Sequence, residues 1–465
     1  MPKQDFVIDR RLMLKATGSL VAAATANSLL PSNLFAQTRP DAVLLTISDL
    51  HAPYARLPNL LSTIRSLRQQ ANAPSALLIN GDVFERGNVV CLRSDGAADW
   101  AMLETLAKEM PVVINIGNHE TAILDDPAEF ITRAEKRGIR VISNLIDQRT
   151  DRLYAPVAHQ LELGDIKVGL LGLAATNQFV YRQEVRDKLL FQNTPAYVQD
   201  AFADAMGDAD TKLIMSHAGL AADKKFIDSL PVGTVLQGAH DHLDFELVHG
   251  NVRYFHGASW GTKIGILGLN KGSGGVQTQY RTQTIAAGAD AGDTALAEII
   301  AAQKTTHLTG EDRDVIADIP QSLNMHRSIL VATEAVRRAT QADIAMLGHT
   351  TFGAPLSKGP LTRYDFDAFV RFGGGLKVAN VAGKQLAKML ARANQFAARG
   401  IEQRSGDYVH VAEVDLDANK TYRLAVNGWT AINQKAYLGT EDLAFEDIEG
   451  LELKAVIADH LSQMR

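Results

Sequence analysis

The chain has 465 residues, a formal net charge of -6 and a hydrophobic content of 46%. That length exceeds what one ordinary core organises, so two domains are expected, each with its own interior. The acidic balance and the lack of a long basic run argue against nucleic acid or an anionic membrane surface as the main partner; an anionic substrate needs a local positive focus, which bound cations can supply.

The first segment, DRRLMLKATGSLVAAATANSLLPSNLFAQT, sets Arg10 and Arg11 ahead of an apolar run from about Ala16 to Leu30 and a small-residue exit near Ala36. The run is shorter than the ~20 apolar residues that a membrane span requires. Residues 1–36 are therefore expected to be a signal peptide. RRLMLK resembles the twin-arginine export motif. That implies the twin-arginine export machinery as a partner, a periplasmic location and no integral membrane span in the mature chain. Cys91 is the lone cysteine. It has no partner for an internal disulfide, so stability must come from the core and from any bound metal.

From Ala42 onward, apolar runs alternate with amphipathic stretches. AVLLTIS, SALLINGD, PVVINIGN, IRVISN, KVGLLGL, TKLIMSH and GTVLQGA read as strands, while LPNLLSTIRSLRQQ and WAMLETLAKEM read as helices. Short strands followed by helices predict a layered α/β sheet. This first domain is expected over 40–285, closed by the Gly, Ala, Thr and Gln-rich stretch GLNKGSGGVQTQYRTQTIAAGADAG. Residues 286–321 are expected to be a linker carrying a bridging helix from about Thr294 to Thr305. A second, smaller α/β domain is expected over 322–465. It comprises the helix SILVATEAVRRATQ, the strand ADIAML, the loop GHTTFGAPLSKGPLT, a strand and helix in LKVANVAGKQLAKMLARANQ, and YRLAVNGW as the last strand.

Polar blocks follow the first-domain strands directly: SDLH, NGDVFERG, GNHE, SHAG and GAHDH. That is where an open α/β sheet places its binding crevice. In LQGAHDHLDF, His240 and His242 alternate, and in extended backbone they would point to opposite faces. At a strand end, where the chain turns, both imidazoles can converge as a metal site needs. Asp49, His51, Asp82, Asn118, His119, His217, His240 and His242 form the candidate constellation. Taken singly, each has a structural explanation: Asp49 as a helix cap, Asp82 or Asn118 in a turn, a histidine in the core.

In order, D-x-H, G-D, G-N-H-E, S-H-x-G and G-x-H-x-H resemble the signature of the calcineurin-like metallophosphoesterases. More closely, the set is similar to the periplasmic 5'-nucleotidase, UDP-sugar hydrolase and 2',3'-cyclic-nucleotide phosphodiesterase family, which carries a C-terminal 5'-nucleotidase domain. The resemblance covers nearly the whole chain after the signal and is strongest from Ala42 to Gly268. It implies a four-layer αββα sandwich and two divalent ions bridged by Asp82. Asp49, His51 and His242 complete one ion, and Asn118, His217 and His240 the other. Mixed oxygen and imidazole ligands suit Mn, Zn, Fe or Co. The resemblance further implies phosphate-ester hydrolysis by hydroxide held between the ions. Asp82 and His119 are then the catalytic residues, with His119 steadying the transition state and assisting the leaving group.

Three departures change the expectation. In the family that histidine leans on an aspartate three residues later; here the position is Ala122, which leaves Glu120, or Asp125 and Asp126, to substitute. The family's phosphate-binding loop N-x-G-G-I-R reads LGHTTFGA, with Gly348 and Gly353 in place of Asn and Arg. Its G-G-D-G-[FY] block reads INQKAYLG, leaving Tyr437 as the stacking candidate. His349, Lys358, Arg363, Arg371 and Lys377 are candidates for substrate contact, and polar loops of this kind set specificity. The expected function is hydrolysis of small-molecule phosphate esters, of nucleotides or related organophosphates. The alternatives are a thiosulfohydrolase acting on the sulfur of a carrier protein, an activity found in the same family, and, from another class, a non-catalytic metal-stabilised binding protein.

Overall fold

Strands Ala42–Ser48 and Ser75–Asn80 are buried at every position. A parallel strand covered on both faces has no wet side, which is why these read as unbroken apolar runs. The structure, a computed structural model, describes residues 39–288, 292–396 and 399–464. The signal expected over residues 1–36 lies outside the described residues.

The first sheet has six strands in the order Gly275–Thr284, Lys263–Gly272, Ala42–Ser48, Ser75–Asn80, Val112–Asn115 and Arg140–Ile142. The last four run parallel, and the first two form an antiparallel hairpin beside them. The second sheet also has six, in the order Asp244–His249, Val252–Gly257, Val235–Gly238, Thr211–Ser216, Ile166–Leu173 and Ala158–Leu163. Its four inner strands are parallel. The sheets meet face to face through Leu44, Leu78 and Val113 from one and Leu213, Met215 and Phe255 from the other.

Helices cover the outer faces. Helix Leu57–Ala71 buries Leu57, Leu60, Leu61, Ile64, Leu67 and Ala71 at helical spacing, carries a proline in its first turn and stops at Asn72 in the left-handed conformation. On the other side Val198, Phe202 and Met206 of helix Thr194–Met206 pack on Leu171, Ile214 and Tyr254. The four layers are the αββα arrangement. The Thr- and Gln-rich stretch that closes this domain is itself mostly strand: Gly275–Thr284 alternates between half-buried and exposed positions, as a strand with one wet face does.

Helix Thr294–His307, capped by Asp293, lies against helices Leu57–Ala71, Val89–Arg93 and Ala97–Glu109. The segment beyond it forms a four-stranded sheet in the order Ile344–Ala345, Thr421–Asn427, Gly375–Ala382 and Glu446–Glu452. Helices Met325–Ala339 and Leu453–Ser462 share one core with Phe352 and Phe369, through Ile329, Val336, Leu453 and Ile457. YRLAVNGW, expected to be the last strand, is followed by another strand and a helix. Glu446–Glu452 sits at the sheet edge with five of its seven residues exposed, and its apolar residues Ile448 and Leu451 fall three apart, so it lacks the period of two that marks a half-buried strand.

Candidate metal centre

Asp49 and His51 follow strand Ala42–Ser48, Asp82 follows Ser75–Asn80, and Asn118 and His119 follow Val112–Asn115. His217 follows Thr211–Ser216, and His240 and His242 follow Val235–Gly238. The first sheet thus contributes Asp49, His51, Asp82 and Asn118, and the second contributes His217, His240 and His242. Asp49 (φ 49°), His51 (53°), Asp82 (56°), His240 (77°) and His242 (56°) all adopt left-handed backbone. Asp and His tolerate that region better than most residues, yet it still costs of order 1–3 kcal/mol each and persists only where the surroundings impose it. The same turn brings alternate histidines to one side.

Two groups of donors result. In one, His51 and His242 bring their Nε2 atoms to 2.9 Å, and Asp49 Oδ1 is 3.9 Å from His242 Nε2. In the other, His217 Nε2 lies 3.3 Å from Asp82 Oδ1, and His240 Nδ1 lies 3.0 Å from Asn118 Oδ1. Asp82 stands between them, with Oδ2 3.6 Å from His51 Nε2. Asp49 Oδ2 and His217 Nε2 are buried and have no hydrogen-bond partner among the described residues. Polar atoms left unpaired so deep are what a bound cation satisfies, and a mixed N and O donor set fits Mn, Zn, Fe or Co.

The glycines of the G-D and G-N blocks have a steric cause. A Cβ on Gly81 would stand 2.5 Å from His217 Nδ1, and one on Gly117 would stand 2.3 Å from Asp82 Oδ1. Only glycine lets these two loops approach so closely. Glu120 ties them together: Oε2 accepts from the backbone N–H of Gly117 at 2.6 Å and of Asp82 at 3.2 Å, and Oε1 from that of Val83 at 2.8 Å. Glu120 therefore serves the backbone and does not replace the missing aspartate. Asp125 pairs with Arg182, and Asp126 caps helix Pro127–Glu135. The carboxylate beside His119 is instead Glu85, with Oε2 3.7 Å from His119 Nδ1 and 3.2 Å from His51 Nδ1. Sequence reasoning missed it, although NGDVFERG contains it.

The charges are strongly interdependent. Burial pulls His217 down, but the carboxylates of Asp82 and Asp49 overcome it and raise it to about 10. Burial raises Asp49 to about 7, with His217 opposing and Asp82 adding to the rise. Burial lowers His51 to about 4 and His240 to about 3, leaving their lone pairs free at neutral pH. Ligand atoms must be deprotonated to bind, so any proton held by His217 or Asp49 has to leave. Uptake of Mn by the metal-free chain is accordingly expected to release protons near pH 7, and affinity to rise as pH increases from about 6. Calorimetry in buffers of different ionisation enthalpy checks this; uptake without proton release would contradict it.

From the second domain, Arg371 enters the site. It donates to Glu85 Oε2 from Nη2 at 2.8 Å and from Nε at 3.2 Å, and Nη2 lies 3.1 Å from His119 Nε2. Its guanidinium also lies over Trp260, whose ring stacks on His51 with centroids 5.3 Å apart. His349 is buried and turns Nε2 toward the backbone oxygen of His242, at 3.2 Å. Arg363, a substrate candidate from sequence, is not brought to the site: it opens helix Arg363–Phe369 and pairs with Glu311 at the surface. Tyr437 offers no free face for stacking. It is buried, with its hydroxyl 2.8 Å from Thr350 Oγ1, and the exposed aromatic there is Trp429, whose indole N–H donates to that hydroxyl. Lys358 is exposed, and Lys377 pairs with Asp447. The two altered loop positions are closed by packing, since a Cβ on Gly353 would stand 2.3 Å from Trp260 Cζ2 and one on Gly348 2.8 Å from Tyr437 Cε1.

Residues 42–257 match the calcineurin-like phosphoesterase family, and residues 306–439 match the 5'-nucleotidase C-terminal domain. An uncharacterized metallophosphoesterase, YunD, of Bacillus subtilis (strain 168) is 21% identical over 425 residues, 84% of this chain and 89% of that protein. The 5'-nucleotidase precursor of Thermus thermophilus shares the fold at a TM-score of 0.56 and 20% identity, over 91% of this chain and 96% of that one. The sulfate thiohydrolase SoxB of Thermus thermophilus shares it at a TM-score of 0.60 and 16% identity, over 91% and 94%. No helix among the described residues is long and apolar enough to cross a membrane.

Proposed function

We propose that this chain, which belongs to the calcineurin-like phosphoesterases and carries the 5'-nucleotidase C-terminal domain, is an exported hydrolase that acts on phosphate esters of nucleotides or related small organophosphates with two divalent ions. The observation that carries the reading is Asp82, a buried carboxylate set between two groups of ligand atoms. Divalent ions held there supply a nucleophile near neutral pH and neutralise charge that develops on phosphoryl oxygens. Asp49, His51 and His242 would hold one ion, Asn118, His217 and His240 the other, and Asp82 would serve both.

The chain's own groups do the rest. The His119 backbone N–H donates to Asp82 Oδ1 at 2.7 Å, which anchors its main chain at the site, and Arg371 and Glu85 flank its imidazole. His119 steadies the transition-state oxygens, and Arg371, which donates to its Nε2, supplies fixed positive charge against an anionic substrate. Arg10 and Arg11 support export by the twin-arginine route to the periplasm. The packed-shut Gly348 and Gly353 positions favour a substrate held differently from an ordinary 5'-nucleotide, and they are the observation behind the thiosulfohydrolase alternative, in which a carrier protein is the partner.

Hydrolysis by the mature chain reconstituted with Mn is the test, read as phosphate from AMP, adenosine monophosphate from 2',3'-cyclic AMP, UMP from UDP-glucose and nitrophenol from a nitrophenyl diester. Turnover of one or more of these is expected. Silence on the whole panel from a chain with two ions bound would overturn the phosphate-ester reading and favour a sulfur carrier.

A further inference from the structure

Three histidines outside the metal centre lie end to end. His326 Nδ1 is 2.8 Å from His410 Nδ1, His410 Nε2 is 2.9 Å from His349 Nδ1, and His349 Nε2 is 3.2 Å from the backbone oxygen of the ligand His242. Local structure builds the line: Leu347–Gly348 pairs antiparallel with Val409–His410, and His326 sits in the first turn of helix Met325–Ala339. The rings also stack. His349 lies parallel to Tyr408 with centroids 4.6 Å apart, and Phe396 covers His326 at 3.9 Å.

We propose that His349 is a positioning residue of the metal centre: its Nε2–H holds the main-chain carbonyl of the left-handed His242, and His410 and His326 lock it in the one tautomer able to do so. This rests on the reading of His242 as a metal ligand. A carbonyl oxygen can only accept, so His349 Nε2 carries the hydrogen and Nδ1 is the acceptor. His410 Nε2 and the Tyr408 hydroxyl, 3.0 Å away, both have donors to offer Nδ1. With Nε2 protonated, His410 has Nδ1 free to accept from His326 Nδ1–H. Every bond in the line then runs one way, from the half-buried His326 to the centre. Each ring in the line then carries one N–H and one lone pair, the neutral imidazole.

His242 needs the help. Its backbone has φ 56°, and its Nε2 must stay opposite that of His51. Partners that orient a ligand typically carry 10–100-fold in metal affinity. His349→Leu is therefore expected to weaken one of two Mn ions by about 10-fold or more, with the other retained. His349→Gln keeps an N–H in a similar place and is expected to restore most of the loss. Mn titration of the purified mature chain with a competing chelator reads both. Nitrogen NMR of the unsubstituted, metal-free chain is expected to show His349 protonated at Nε2. A His349→Leu chain that binds both ions as tightly as the parent, or an NMR signal from protonated Nδ1, would overturn the role of His349. A parent chain that fails to take up two ions would overturn the reading of the metal centre itself, and the tautomer measurement separates the two failures.

Discussion

Asp82→Asn is expected to lower kcat/KM on any phosphate ester that the chain hydrolyses by at least about 100-fold, beyond the 10–100-fold typical of groups that merely orient a ligand. The substitution keeps the size of the side chain and an oxygen able to accept the His119 N–H, now 2.7 Å from Oδ1. What it removes is charge. Against the upward push of burial, His217, His119 and His51 hold Asp82 well below the usual carboxylate range, so it is ionised whenever the site is in use. Two cations close together need that charge to offset their repulsion. Steady-state kinetics beside metal analysis of the variant decides the matter. A variant that loses metal but had no turnover to lose would support a binding protein, and one that keeps full turnover would remove Asp82 from the mechanism.

Glu85→Gln and Arg371→Met are expected to have the next largest effects. Both side chains are about 4% exposed and 2.8 Å apart, and breaking such a pair from one side strands a buried charge at a cost of about 3–5 kcal/mol. Glu85 also faces the Nδ1 of His51 and of His119, so its loss is expected to reduce kcat/KM by about 10–100-fold as these two rings lose their orientation. Removing both charges together strands neither, so the double variant is expected to be destabilised by less than the sum of the singles. Chemical denaturation of the three variants measures that difference, with activity assayed in parallel. Additive losses would mean that the two residues act independently.

The metal-ligand candidates could be found in sequence because each sits directly after an apolar run and carries its own local signature, a glycine that permits close approach or a histidine at a strand end. Glu85 could not be singled out. Its partner Arg371 is 286 residues away, and nothing local separates a buried cross-domain carboxylate from a solvated loop residue. Arg363 and Arg371 show the same limit from the other side. They share one stretch of sequence, and only the turn of helix Arg363–Phe369 sends one to Glu311 and the other to the centre. Ring chemistry recommends Tyr437 in the sequence, whereas packing beneath Gly348 decides its role.

The division of the candidate ligands between sheets would make bound cations structural rivets. Asp49, His51, Asp82 and Asn118 belong to one half of the sandwich and His217, His240 and His242 to the other, so an ion held there would further fasten strand ends that Asn80, Asn115 and Gln237 already join by buried hydrogen bonds. Free ion at about 100 times Kd adds about 2.7 kcal/mol for each site that only the folded chain possesses. Without ions, the same rim keeps its left-handed turns, and protonated His217 is the counter-charge to Asp82 and Asp49. A centre that holds ions across this seam would then act as a clasp on the two halves as well as the seat of the chemistry.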